Sequence, residues 1–400
     1  MGATAFIFVT VVLDVLAMGV VIPVLPRLVE GFLGGDTASA AEMYGVFGTA
    51  WAAMQFVFSP VMGVLSDRFG RRPVILASNF GLGFDYVLMA LAPNLGWLFA
   101  GRVISGITGA SFSAASAYIA DVTPPERRAA GFGMIGAAFG LGFVLGPALG
   151  GILGSAHPRL PFWVAAGLTL ANASWGLFVL PESLPADRRR PFDWSRANPI
   201  GTLRLLGSHR ELLGLASVNF LYQLAHQVLP SVFVLYAGYR YAWNERTVGL
   251  TLALVGVGSM VVQGALVRPI VAWLGERRTL MCGLAAGAAG MAAFGLAPTG
   301  GWFWASLPVF AFMGLYGPAA QGIMTRRVDP SQQGHLQGAN TSILGITGLI
   351  GPGMFTLTFA AFIGARADLH LPGAAFLLAA FLLLGAIPLA VAVTRGEVPR

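Results

Sequence analysis

Lysine is absent from this 400-residue chain, cysteine occurs once, and charged residues make up only 10% of the composition. A soluble domain carries roughly 25% charged residues. With 56% hydrophobic residues and 54 glycines, too few polar side chains remain here to cover a water-facing surface. That shortage excludes a soluble enzyme, a nucleic-acid binder and a disordered chain. The lone Cys282 excludes an internal disulfide and a thiolate metal cluster, and is expected to act as a small apolar packing residue. No basic residues precede the first apolar run, 3–26, and that run is too long for a cleavable leader. It is expected to stay as a membrane span. What the chain does have is hydrophobicity, with a mean hydropathy of +0.74. The composition describes an all-α membrane protein whose partner is the lipid bilayer.

A spanning helix needs roughly 20 apolar residues plus a connection. Runs punctuated by Arg, Pro and Gly give twelve transmembrane helices: 3–26, 41–65, 73–92, 95–121, 129–153, 161–181, 211–238, 247–274, 279–297, 301–324, 334–363 and 373–394. All 24 basic residues are Arg, and the net charge is +7. Alternate connections hold Arg68, Arg71 and Arg72; Arg127 and Arg128; Arg188, Arg189, Arg190, Arg196 and Arg204; Arg277 and Arg278; and Arg326 and Arg327, with Arg395 and Arg400 at the end. The remaining connections hold Arg27, Arg159, Arg240, Arg246 and Arg366. The positive-inside rule makes the Arg-rich side cytoplasmic and places both termini there. The basic excess therefore needs no nucleic acid to explain it.

The longest polar stretch, about 182–210, reads as a cytoplasmic linker between an N-terminal six-helix bundle, 1–181, and a C-terminal one, 211–400. The halves echo each other at an offset of about 205 residues. Gly70-Arg71-Arg72 precedes span 3 and Gly275-Glu276-Arg277-Arg278 precedes span 9; Gly146-Pro147 lies in span 5 and Gly351-Pro352 in span 11. Two pseudo-symmetric parallel repeats are one build of secondary transporters.

Residues 63–74, GVLSDRFGRRPV, form a tight turn in which Gly63 and Gly70 permit close approach and reversal, and Asp67, Arg68, Arg71 and Arg72 can pair or meet helix ends. The second copy has Ala272 in place of the Asp. In residues 140–151, GLGFVLGPALGG, Gly142, Gly146, Gly150 and Gly151 make a small-residue face, and Pro147 removes a helix hydrogen bond and is expected to bend the helix into a hinge between the two halves. Asp14 and Asp85 lie deep in spans 1 and 3, where a carboxylate costs about 2.5–3.5 kcal/mol on insertion scales and marks an ion or substrate path. Either is a candidate to take and release a proton. Arg102 opens span 4, and His226 sits within span 7 as a further coupling candidate beside the reading of a hydrogen-bonded core histidine. Gln55, Gln223, Gln227, Gln263, Gln321 and Asn340 are candidate cavity donors and acceptors, as is Thr341; Trp51, Phe112, Tyr118 and Tyr222 are candidate cavity aromatics. Gly131, Gly133 and Gly136 spell GxGxxG inside an apolar helix with no preceding strand, which rules out dinucleotide binding.

The loop GxxSDRxGRRxx resembles the signature of the major facilitator superfamily, and GxxxGPxxGG resembles that superfamily's antiporter motif. The Asp14 pattern DxxxxGxxxPxxP resembles span 1 of drug/proton antiporters. GRVISGITGASFSAASAYIADVTPPERRAAGFG, LPES at 180–183 and WLGERRTLMCG at 273–283 extend the likeness to the bacterial tetracycline-efflux branch over residues 3–395. The resemblance implies alternating access, a latch of Asp67 and Arg71 with Asp121, and a monomer that exports a small amphipathic compound against protons across the inner membrane. It implies no resident cofactor, with the proton as coupling ion and a metal ion able to travel with the substrate. The substrate is expected among spans 1, 4, 7 and 10. Two family residues are missing: the acid of span 9, where Gly287 stands, and the His of span 8, where Ser259 stands. The alternatives on the same residues are a metabolite uptake symporter and, from GLGFD at Asp85, an intramembrane aspartyl protease.

Overall fold

The computed structural model describes residues 3–123, 128–192, 210–328 and 333–395, without the side chains of 3–7, 111–112, 128–135, 210–211 and 334–335. Regular structure among them is helical throughout. Eleven stretches are long and apolar enough to cross a bilayer, and one of these, Glu245–Leu296, runs for 52 residues. A straight helix of that length would be about 78 Å long, more than twice a hydrocarbon core of about 30 Å. It is interrupted at Gly275, with φ 75° and ψ 161°, so it supplies two spans and the total matches the twelve read from the sequence.

In chain order, α1 is Ala3–Val21, continued by the short helix Leu25–Phe32; α2 is Thr37–Phe69 and α3 Arg71–Leu91. Next, α4 is Leu95–Val122, α5 Arg128–Ala156 and α6 Leu160–Val179. In the second half, α7 runs Arg210–His226 and Val228–Tyr241, α8 covers residues 245–274 and α9 residues 276–296. Finally, α10 is Gly300–Arg326, α11 Gln333–Ile363 and α12 Ala374–Val393. Asp36 begins α2 by accepting from the Ala38 and Ser39 amides and the Ser39 hydroxyl. Those hydrogen bonds, the Ser39 ones foremost, hold its carboxyl below the usual carboxylate range.

Four helices are interrupted at positions that obey the repeat. In α1 the turn is at 22–24, in α4 a 3₁₀ turn spans Gly109–Ser111, in α7 the break is at Gln227, and in α10 a 3₁₀ turn spans Phe312–Leu315. Three of them have one cause. Pro26, Pro230 and Pro318 each lack the N–H that would bond the carbonyl four residues back, and each ring crowds that turn. The fourth has no proline; instead the Ser113 hydroxyl donates to the Ala110 carbonyl, and to that of Ser59 on α2. Pro269 accounts in the same way for a π-helical turn, Val262–Leu266, in α8.

The chain divides into two compact units. Unit 1 holds the residues up to Gly34, those from Ala50 into the linker, and Asn244–Ala253; unit 2 holds Gly35–Thr49, the residues from the end of the linker to Trp243, and Leu254 onward. Each is thus a six-helix repeat that has taken in the first turns of one helix from the other half. In unit 1 the start of α8 packs on α5, with Gly249 against Gly151 and the Pro147 carbonyl. In unit 2 the start of α2 packs on α11: Gly48 meets the Pro352 ring, and Gly45 meets Thr356. The two Gly-Pro copies therefore receive equivalent segments.

The rest of the α5 glycine face packs on α1. A Cβ on Gly146 would lie 2.7 Å from the Gly19 Cα and 2.9 Å from the Leu16 carbonyl, and Gly142 meets Val15 with equal closeness. Gly150 touches the Val20 carbonyl. α5 runs through Pro147 as one continuous helix. Valine at Gly146 should therefore lower stability by about 1–3 kcal/mol through overpacking, read as a reduced thermal midpoint in detergent. Alanine at Gly167, which has open space around it, should leave the midpoint unchanged.

Candidate functional site

Unit 1 carries the ionisable chemistry, at three levels along its helices. At the Arg-rich helix ends, Gly70 has φ 104° and ψ 158°, a region open to glycine almost alone. That turn places Arg71 at the first position of α3, where its Nη1 lies 2.6 Å from the Asp67 carboxylate and its Nε 3.1 Å from Asp121. Nη1 also donates to the Ser66 hydroxyl at 2.6 Å. The three residues expected to form a latch are in contact. Arg68, by contrast, points away and lies over the Phe69 ring, and Arg72 donates to the Leu177 carbonyl at the end of α6. Gly63 accepts from Ser66 through its carbonyl.

LPES, noted in the sequence only as a likeness, completes this network. One Glu182 oxygen accepts from the backbone N–H groups of Arg71, Ser183 and Leu184 at 2.9–3.0 Å, which puts a carboxylate on the N-terminus of α3. The other lies 3.8 Å from Arg189. The Ser183 hydroxyl donates to Asp121, and the Arg190 amide to the Asp67 carbonyl. Any Cβ on Gly70 would meet the Glu182 carboxylate. Alanine at Gly70 is expected to cost about 1–3 kcal/mol in backbone strain alone and to displace the linker, measured as a lower thermal midpoint and faster proteolysis at 184–190.

Midway along α1, Asp14 accepts from the Asn172 amide of α6 at 3.3 Å and lies beside Asn79 of α3, while Thr10 donates to Asn172 at 3.2 Å. Thr10, Asn79 and Asn172 are buried. Neither asparagine stands out among the apolar residues of spans 3 and 6, although a lone amide at membrane depth is itself a signal. Alanine at Asn172 should destabilise the protein by about 1–3 kcal/mol by leaving Asp14 short of a donor, whereas asparagine at Asp14 should fold normally; thermal midpoints decide.

Farther along α3, Asp85 is 1% exposed and neither carboxyl oxygen has a hydrogen-bond partner. The charge that acts on it is Arg102. Arg102 lies about 10 Å into α4 from its Arg-poor end, with its guanidinium 5.2 Å from the Trp51 ring centre. Gly101 keeps the gap open, since a Cβ there would come within 3.0 Å of the Asp85 carboxyl and 2.5 Å of Met89. Gln55 packs beside Gly109 at the α4 interruption. Tyr118 is fully buried, with its hydroxyl donating to the Pro181 carbonyl, so it packs the core beneath the linker in place of lining a cavity. The Phe112 side chain lies outside the described residues.

Unit 2 has no acid between Leu212 and Asn244 or between Arg277 and Val328. It has a polar and aromatic face instead. Tyr222 stacks on Tyr316 with ring centres 3.9 Å apart, and exposed His226 stacks on Tyr222 at 6.3 Å. Asn219 donates to Asn340, which donates to Gln321. Asn219 and Tyr316 are residues the sequence reading missed. Gln263 lies beside Gly314, and Gln227 covers Gly351. Gln223 is half-buried on the same helix. Gly287 faces inward, where Met313 and Leu383 would meet a Cβ at 2.9 and 3.1 Å, so the position has no room for an acid. Cys282, expected to pack inside, is exposed.

The family model for the Major Facilitator Superfamily matches residues 7–352. The chain is 39% identical to a class C tetracycline resistance protein of Escherichia coli over 88% of each chain. It is 38% identical to a class G tetracycline resistance protein of Vibrio anguillarum over 91% of this chain and 92% of that one. Its fold is similar to that of the human organic anion transporter MFSD10, with a TM-score of 0.71 and 24% identity over 97% and 98% of the two chains. These relatives are transport proteins and not enzymes, which removes the support for a protease. The chain is a multi-pass membrane transporter for small molecules that belongs to the Major Facilitator Superfamily, among the bacterial tetracycline resistance proteins.

Proposed function

We propose that this protein is a proton-coupled efflux antiporter that exports small amphipathic compounds of the tetracycline type by alternating access. It works as a monomer in the inner membrane with both termini cytoplasmic. The observation that carries the reading is Asp85, a buried carboxyl with no hydrogen bond and one facing cation, Arg102. A buried carboxylate facing a cation is costly to leave unbalanced, so a proton arriving on Asp85 weakens its hold on Arg102, and the proton's departure restores it. The pair lies toward the Arg-poor ends of α3 and α4, the side from which external protons arrive. Asp14, held by the Asn172 amide, supports the same helices and contributes charge to the path. The tetracycline resistance relatives supply the substrate class, and the aromatic and amide face of unit 2 suits a planar, polyoxygenated ligand. A metal ion carried with the drug is cargo.

The test is pH-gradient-driven tetracycline uptake into everted membrane vesicles. Wild type should accumulate drug, and asparagine at Asp85 should reduce the initial rate by at least about tenfold, equivalent to 1.4 kcal/mol, at unchanged membrane abundance. Wild-type rates from the Asp85 variant would remove the coupling role. Movement of solute and protons in the same direction would make the protein a symporter.

A further inference from the structure

The sequence of unit 2 lacks the Asp of the signature loop, yet the structure shows an ion pair at the equivalent corner. Arg71 and Asp121 pair in unit 1; 205 residues farther on in each case stand Glu276 and Arg326, which are in salt-bridge contact. The surroundings correspond as well. Gly70 and Gly275 share the same glycine-type backbone conformation just before each helix. The arginine that follows each helix's first residue reaches the last helix of its unit: Arg72 bonds the Leu177 carbonyl at the end of α6, and Arg277 bonds Thr394 at the end of α12. Arg327 reinforces that corner through the Val393 carbonyl. The Glu276 carboxylate lies against Gly322, one turn before Arg326, where a Cβ would be 2.8 Å away. Its counterpart in unit 1, Ala117, borders the groove that also holds Asp67 and Arg71.

The reversed signs suit the helix ends they occupy. The N-terminus of a helix favours an anion. In unit 1 the first residue of α3 is the cation Arg71, and the anion is recruited from Glu182, 111 residues away. Helix α12 begins and ends 214 residues after α6, so the unit 2 position that corresponds to Glu182 lies at 396, outside the described residues. Helix α9 carries its own anion, Glu276, at its first position, and the partner at the end of α10 is a cation. Arg326 also suits that place, a helix C-terminus.

We infer that Glu276 and Arg326 are a second latch of reversed polarity, a positioning pair that holds the α8–α9 turn against the end of α10 and is required for transport. What matters at the corner is complementarity of charge. The pair is partly exposed, with 63% of the Arg326 side chain accessible. Such a pair adds little to global stability, so its loss should show in transport more than in folding.

The experiment compares single and paired charge reversals in the full-length protein. Glu276→Arg alone should slow tetracycline uptake into everted vesicles about tenfold and lower the thermal midpoint in detergent by about 2 °C or more. Ala272→Asp, Glu276→Arg and Arg326→Asp together install the unit 1 set at the equivalent positions. This triple variant should recover uptake to within about threefold of wild type and restore the midpoint, as expected of a directly interacting pair. Glu276→Gln, which keeps shape and removes charge, should fold normally and transport at an intermediate rate. A Glu276→Arg or Glu276→Gln protein that transports at the wild-type rate would overturn the inference, as would a triple variant with no recovery. If wild-type protein moves no tetracycline, the proposed drug class fails, and the midpoint loss and recovery still decide whether the pair is a latch.

Discussion

A hydrocarbon solvent leaves backbone polar groups and buried charges with nowhere to turn except to each other. Every feature of this protein follows from how that demand is met. Helices satisfy their own backbones, prolines and one serine concentrate the exceptions at the helix interruptions, and several ionisable side chains of unit 1 have distinct solutions. Asp14 is solved by an amide, Arg71 by two carboxylates and a hydroxyl, and Glu182 by a helix terminus. Asp85 is the exception, offset by a neighbouring charge and by no hydrogen bond. A group left in that condition is the one whose protonation most changes its surroundings.

Duplication supplies the second theme. The two units share their interruption points, their glycine turns and their Gly-Pro crossings, so backbone geometry has been kept across the repeat. Chemistry has not. Unit 1 holds the deep acids, while unit 2 presents stacked tyrosines, an imidazole and a ladder of amides. A division into a unit with deep acids and a unit with aromatic and amide side chains is a natural outcome when the two copies diverge under different demands.

Much of this was legible in the residues. Span number and positions follow from hydropathy and from Arg spacing, because both report the bilayer directly. The contact of Asp67, Arg71 and Asp121 was legible through the likeness of GxxSDRxGRRxx to the superfamily signature, which implied it. Contacts that join distant segments were not: Asn79 and Asn172 meet Asp14 only once α1, α3 and α6 pack together, and Glu182 finds Arg71 only when the linker folds back. The Glu276–Arg326 pair escaped a comparison of residue identities because its signs are exchanged. Tyr118 illustrates the opposite failure: an aromatic with a polar tip fits a cavity wall or a core equally well by composition, and the Pro181 carbonyl decides it.

The central claim is that drug and proton movements are obligatorily linked in opposite directions. The most direct measurement places purified protein in sealed liposomes with an internal pH-sensitive dye, without any imposed gradient, and adds tetracycline to one side. Drug entry accompanied by proton exit in fixed proportion is the predicted result; drug entry that leaves the internal pH unchanged would contradict the account.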